Sequence, residues 1–155
     1  MKQAPISKRL LAAVALVAAL VAAAGVPTVA EGASRPAKVM LRHTRLGTIL
    51  VSSSGRTLYE FTRDHGARNS CLRISGCAEL WPALQTGGRP IAGPGVRSSL
   101  LSSIRLPSGA RQVTYAGHPL YLYAGDSGPG ETSYVGENQF GGRWNALRAS
   151  GELVR

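Results

Sequence analysis

The chain has few of the residues that usually carry catalysis or metal binding. Its 155 residues include only 3 histidines, 2 cysteines and 2 methionines. The histidines, His43, His65 and His118, lie far apart in the sequence, and there is no Gly-x-Ser-x-Gly, no His-Glu-x-x-His and no phosphate-binding loop. We therefore expect a protein that is not an enzyme and that holds no metal ion or other cofactor. A site assembled in space, for example from Asp64, His65 and Asp126, stays open.

The two cysteines, Cys71 and Cys77, are six positions apart. This spacing is not Cys-x-x-Cys, and no pair of histidines nearby completes a zinc site, so a thioredoxin-like or zinc site is disfavoured. In an exported chain an isolated pair of this kind favours a local disulfide. Ser75-Gly76 supplies the turn that brings the two residues together.

The N-terminus has the three-part pattern of a secretory signal peptide. Residues 1–9 carry Lys2, Lys8 and Arg9 without an acid, residues 10–26 are an apolar run, and Thr28-Val29-Ala30 offers small residues for cleavage. The sequence predicts a signal peptide over residues 1–30, a linker with a first strand over 31–45, and no stable transmembrane segment after processing. An uncleaved anchor is the alternative, since 17 apolar residues lie at the short end of what spans a bilayer.

Acidic residues are scarce, with 8 Asp+Glu against 18 Lys+Arg in the full chain. The predicted mature chain keeps all 8 acids and 15 of the basic residues, which leaves a net charge of +7. This surplus attracts anionic surfaces in general. The basic residues are scattered singly, and an exported chain rarely meets nucleic acid, so we expect no nucleic-acid partner.

Two segments share one pattern. GRTLYEFTRD, residues 55–64, is followed 62 residues later by GHPLYLYAGD, residues 117–126, and the correspondence extends to WPAL at 81–84 and WNAL at 144–147. Short β runs separated by Gly- and Pro-rich turns surround both segments, and no convincing amphipathic helix follows residue 30. The sequence predicts one compact all-β domain over residues 46–155, made of two tandem β-meander repeats packed together, with copies at about 46–84 and 104–151.

The repeated positions are the candidate site. Aromatic residues two apart on a strand share a face, which favours a core role, and an Asp three positions later suits the end of the strand, where it accepts backbone N–H bonds. A ligand-facing role for the same residues remains open, as does a sugar platform for the tryptophans. The set comprises Tyr59, Phe61, Asp64, Trp81, Tyr121, Tyr123, Asp126 and Trp144.

The repeated motif resembles a bacterial secreted-repeat family of predicted lipoproteins, which carries Tyr-x-(Phe/Tyr/Trp)-x-x-Asp. The matching residues include Tyr59, Phe61 and Asp64, the segment CAELWPAL at 77–84 and the segment QVTYAGHPLY at 112–121. The resemblance covers about residues 46–151 and implies an exported cell-envelope protein whose biochemical role is not established. The chain has no lipobox cysteine near the predicted cleavage site, which favours a soluble or transiently tethered form.

Two functions are compatible with these observations. The first is a non-catalytic binding module at the cell envelope, for a wall polymer, a glycan or a protein partner. The second is an accessory protein in extracellular metal or redox chemistry, which would depend on the few His and Asp residues because no haem motif is present. The sequence favours the first.

Overall fold

A computed structural model describes residues 35–155, and strands dominate this part of the chain. The strands are β1 (Lys38–Thr44), β2 (Gly47–Ser52), β3 (Tyr59–Phe61), β4 (Ile91–Ala92), β5 (Leu101–Arg105), β6 (Arg111–Tyr115), β7 (His118–Pro119), β8 (Asn138–Gln139), β9 (Gly142–Leu147) and β10 (Leu153–Val154). Helix α1 (Cys77–Leu80) and two 3₁₀ turns (Cys71–Arg73 and Ser98–Leu100) complete the elements. The predicted all-β class is confirmed. The predicted signal peptide lies outside the described residues.

Two antiparallel hairpins precede the two motif segments. Strands β1 and β2 pair before the first segment, and β5 and β6 pair before the second, so β1 and the start of β5 lie ahead of the predicted starts of the copies at about 46 and 104. Each hairpin continues into the motif segment through a turn in which Gly55 or Gly117 has a φ of 81° or 83°. This left-handed conformation favours glycine. At Gly55 a side chain is also excluded by space, because a Cβ would lie 2.9 Å from Cβ of Pro129.

The central strands connect the two copies. Tyr59 and Tyr121 form an antiparallel bridge, in which the N–H of each residue donates to the carbonyl of the other at 3.0 and 2.9 Å. On the outer sides of this bridge, Tyr59 pairs with Ala146 in β9, and Tyr121 pairs with Ala83. Ala83 and Ala146 are equivalent positions of the repeat, so the end of each copy pairs with the motif strand of the other. The division of the domain into two tandem repeats remains an interpretation. In the observed pairing, strand residues of one copy pair with strand residues of the other.

The motif strand is buried on both faces. Leu58 and Leu120 pack into an aliphatic cluster with Leu50, Val113 and other residues, whereas the tyrosines that follow them belong to an aromatic cluster on the opposite face. Alternation along a strand explains this division, since neighbouring side chains point to opposite faces. Five of the six repeated aromatic residues are thereby fully buried, and Tyr123 is partly buried against them.

The two tryptophans of the repeat lie in different local structures. Trp144 lies in β9, whereas Trp81 directly follows helix α1. Cys77, the second cysteine of the disulfide, begins α1, and the residues after Trp81 pair through isolated bridges at Ala83 and Gln85. No helix within residues 35–155 has the length and apolar character needed to cross a bilayer.

Candidate functional site

Four aromatic rings of the motif form a continuous stack through the core. Phe61 stacks on Trp144 with ring centroids 4.1 Å apart, Trp144 on Trp81 at 3.7 Å, and Trp81 on Tyr123 at 4.5 Å. Members from the first and second copies alternate along this aromatic stack. Its two tryptophans have no exposed surface. Stacked and edge-on aromatic pairs contribute stability beyond their buried area, so these rings have a structural use.

The tyrosines and aspartates of the motif pair across the copies. The hydroxyl of Tyr121 donates to Oδ2 of Asp64 at 2.7 Å, and the hydroxyl of Tyr59 donates to the two carboxylate oxygens of Asp126 at 3.3 and 3.2 Å. Each aspartate also ends a turn in the same way: its N–H donates to the carbonyl of Phe61 or Tyr123. Burial and the neighbouring carboxylate raise the pKa of both tyrosines, so their phenols stay protonated and act as donors.

The two aspartates are also perturbed by burial. Desolvation raises the pKa of Asp126 to about 6 and raises that of Asp64 above its ordinary value of 3.8, while the tyrosine bonds act in the opposite direction. Asp126 is buried, whereas Asp64 is partly exposed. The two carboxylates are therefore held by core hydroxyls and do not project freely into solvent.

Glu60 is a buried polar residue at a position that the repeated motif leaves unspecified. Its side chain is 2% exposed and points away from Tyr59 and Phe61. Oε1 accepts a hydrogen bond from Nδ2 of Asn145, and Oε2 lies 3.7 Å from Nδ1 of His118. Desolvation raises the pKa of Glu60 from 4.5 to about 7. The corresponding residue of the second copy is Leu122, so the buried carboxyl of Glu60 has no counterpart there, although its partners Asn145 and His118 come from the second copy.

Asp64 also positions a surface loop. Its Oδ1 accepts the N–H of Ser70 at 2.7 Å, and Nδ2 of Asn69 donates to Oε1 of the buried Gln112 at 2.8 Å. Immediately after these residues, the Cys71–Cys77 disulfide closes a short loop, with the two Cα atoms 5.4 Å apart. The predicted disulfide is present. Asp64 thus connects the core hydroxyl of Tyr121 to the loop of residues 65–73.

This loop forms one wall of a groove of about 400 Å³, which we call the first groove. Its opposite wall is the end of β5 and the turn after it. The loop contributes Leu72, which is 44% exposed, and β5 contributes Ile104 to the apolar part of the surface. Arg68, Arg73 and Arg105 surround this apolar part, and all three are exposed. The remaining lining residues are His65, Ala67, Asn69, Ser70, Leu106 and Pro107.

The first groove is positively charged because three arginines line it and none of its lining residues is acidic. The arrangement can bind an anion that carries an apolar part.

Sequence reasoning placed the motif residues in one region but missed both the first groove and the Glu60 cluster. The arginines of the groove come from segments more than 30 residues apart, and they are spaced in the chain like the other scattered arginines. The one available signal was the loop itself, since a disulfide loop that follows a repeated Asp is present in the first copy alone. Among residues 35–155, no three side chains of His, Cys, Asp or Glu lie together in a way that could hold a metal ion.

Comparison with known proteins gives one match. No curated protein and no solved structure matches the chain significantly. Residues 102–148, from β5 to β9, match the family Lipoprotein_15, a secreted repeat of unknown function. The match covers most of the second predicted copy. Residues 102–148 are therefore similar to the Lipoprotein_15 secreted repeat, whereas the first predicted copy lies outside this match.

Proposed function

We propose that this protein is an exported, non-catalytic binding module of the cell envelope, and that it binds an anionic wall polymer in the first groove. The secreted-repeat match supports export to the extracellular side. The observation that carries the binding proposal is the lining of the first groove, where three arginines surround exposed apolar side chains without a carboxylate. Among the ligand classes compatible with the sequence, an anionic polymer is favoured over a neutral glycan by this charge.

The motif residues have a supporting role in this proposal. Tyr121 holds Asp64, Asp64 holds Ser70, and the loop that follows carries Arg68 and Arg73 into the groove wall. A rigid wall lowers the entropic cost of ordering the arginines when a ligand binds. The buried motif therefore builds the scaffold, and the exposed arginines make contact with the ligand.

Binding is tested by titration calorimetry with soluble poly(glycerol phosphate), using neutral dextran of similar length as the reference polymer. We expect the acidic polymer to bind, with an affinity that falls as salt concentration rises, because released counterions contribute to binding. Arg68→Gln/Arg73→Gln should weaken binding at least about tenfold, whereas Arg143→Gln/Arg155→Gln, at exposed sites elsewhere, removes the same charge and should have less effect. Equal losses in the two variants, or equal binding of dextran, would contradict the proposal.

The proposed export also predicts where the mature N-terminus lies. The proposal includes removal of residues 1–30 as a signal peptide, so the exported protein should begin at Glu31. N-terminal sequencing of material secreted by a bacterial host checks this. Finding only membrane-bound chain that begins at Met1 would contradict export by cleavage.

The metal or redox role remains a less favoured alternative. Both cysteines are used in the disulfide, and no observation on residues 35–155 favours that role. Measurement of the metal content of the purified mature protein distinguishes it from polymer binding.

A further inference from the structure

A second groove lies along the same strand as the first. It has a volume of about 350 Å³ and is formed by the start of β5 with residues from the turn before β4 and from β6. Arg89 and Arg111 supply positive charge, and Ser102 and Ser103 supply hydroxyls. Pro90 and Leu101 complete the lining, in which no acidic residue takes part.

Strand β5 connects the two grooves. Leu101, Ser102 and Ser103 line the second groove, and the next two residues, Ile104 and Arg105, line the first. A strand advances about 3.3 Å per residue, so the two sets of lining residues are separated by roughly 10 Å or less along β5. In its sheet β5 lies at the edge, paired with β6 alone among the strands of residues 35–155. Ser103 and Arg105 share one face of the sheet and Ile104 points to the other, so a chain that contacts both grooves passes around the unpaired edge of β5.

Positive charge continues across the junction. Arg105 of the first groove is directly opposite Arg111 of the second in the β5–β6 register. Side chains of directly opposite residues lie on the same face of a sheet, and like charges in this position are destabilising. The guanidinium of Arg111 donates through two nitrogens to Oγ of Ser103, at 3.1 and 2.9 Å, so no carboxylate is used to hold this arginine. An anionic group placed between the two arginines would relieve their repulsion.

We infer that one linear anionic polymer occupies both grooves at once and runs along the outer side of β5. This inference rests on the proposed function and adds to it a second contact site, at which the same polymer chain binds the protein again. A short oligomer can occupy either groove, whereas a long chain links the two. Linking two weak sites through one ligand raises the effective concentration at the second site and increases the overall affinity without new contacts.

The test compares a two-unit oligomer of glycerol phosphate with long poly(glycerol phosphate), by calorimetry on the mature chain. We expect two oligomers per protein with weak affinity, and a long chain that binds about a hundredfold more tightly. Arg89→Gln/Arg111→Gln should remove one of the two oligomer sites and reduce long-chain affinity at least about tenfold. Arg143→Gln/Arg155→Gln is the charge-matched control, and the melting temperature of every variant confirms that it is folded.

The outcomes separate this inference from the proposed function. If the second-groove variant binds the long chain within twofold of the unmodified protein, and the first-groove variant Arg68→Gln/Arg73→Gln does not, a single groove binds the polymer and the inference is wrong while the function stands. If neither groove variant differs from the control, both are wrong. A neutral extended peptide that competes with the long chain would instead identify β5 as an edge for strand addition and overturn the inference.

Discussion

Replacing the buried Glu60 by Gln should stabilise the protein at alkaline pH. The folded state raises the pKa of this carboxyl from 4.5 to about 7, so the folded protein holds the proton more tightly than the unfolded chain does. The contribution of Glu60 to stability is therefore complete below about pH 4.5, declines as pH rises from there to 7, and is constant above 7. A tenfold difference in proton affinity corresponds to about 1.4 kcal/mol, so the full decline is roughly 3 kcal/mol.

Glutamine keeps the shape of the protonated acid and has no charge to bury. Its Oε1 can accept from Nδ2 of Asn145, as Glu60 does, and its amide N–H₂ can donate to Nδ1 of His118 in the tautomer that carries the imidazole proton on Nε2. We expect Glu60→Gln to be about 2 to 3 kcal/mol more stable than the unmodified protein at about pH 8, and nearly equal to it at about pH 4. The lower bound allows for the attraction between His118 and the ionised carboxylate.

Urea unfolding at several pH values measures the free energy of unfolding of the unmodified protein and of Glu60→Gln, and how each depends on pH. Asp64 and Asp126 also have raised pKa values and contribute pH dependence of the same sign, so the difference between the two proteins isolates Glu60. Glu79→Gln, at an exposed carboxylate, serves as the control and should leave the profile unchanged. A Glu60→Gln protein that depends on pH as strongly as the unmodified one, or that is less stable at about pH 8, would refute this reasoning.

Three further predictions follow from the core and its loop. Trp144→Ala removes the centre of the aromatic stack and should cost about 3 to 5 kcal/mol in thermal unfolding, whereas Arg143→Ala at the exposed neighbouring position should cost under about 0.5 kcal/mol; similar losses would contradict a core role for the stack. Tyr121→Phe should cost about 1.5 to 3 kcal/mol in urea unfolding, and Tyr59→Phe less, because its hydroxyl bonds are longer; the reverse order would be inconsistent with this geometry. Reducing the disulfide should lower stability by about 2 kcal/mol and weaken polymer binding in the first groove, and an unchanged affinity would show that the loop needs no covalent closure.

Contacts between the two copies explain why the motif has the same internal spacing in both. Aromatic side chains two positions apart share a face of the motif strand, and an Asp three positions later reaches back to the tyrosine of the other copy. Neither Tyr121 nor Asp64 has a partner of this kind within its own copy. The pattern therefore repeats at one internal spacing because each copy supplies half of two equivalent contacts.

Local chemistry was sufficient to predict the β class and the disulfide, and it favoured the core position that most of the repeated aromatic residues have. Alternation along a strand, glycine at turns and a close cysteine pair act over a few residues, so they can be recognised in the sequence. The hydrogen bonds from Tyr59 to Asp126 and from Tyr121 to Asp64 join one copy to the other. They depend on how distant strands pair, which no spacing within one copy specifies.

The grooves and the Glu60 cluster were decided by the tertiary structure alone. Arg68 and Arg105 become neighbours of one surface only because the disulfide loop packs against the end of β5. Glu60 becomes a buried acid only because β3 is covered on both faces, whereas in sequence it is an ordinary polar residue between two aromatic ones. Electrostatic environment depends on burial and on neighbours from remote segments, and this is the physical reason why composition could give the net charge of the chain but could not locate the surface where that charge is used.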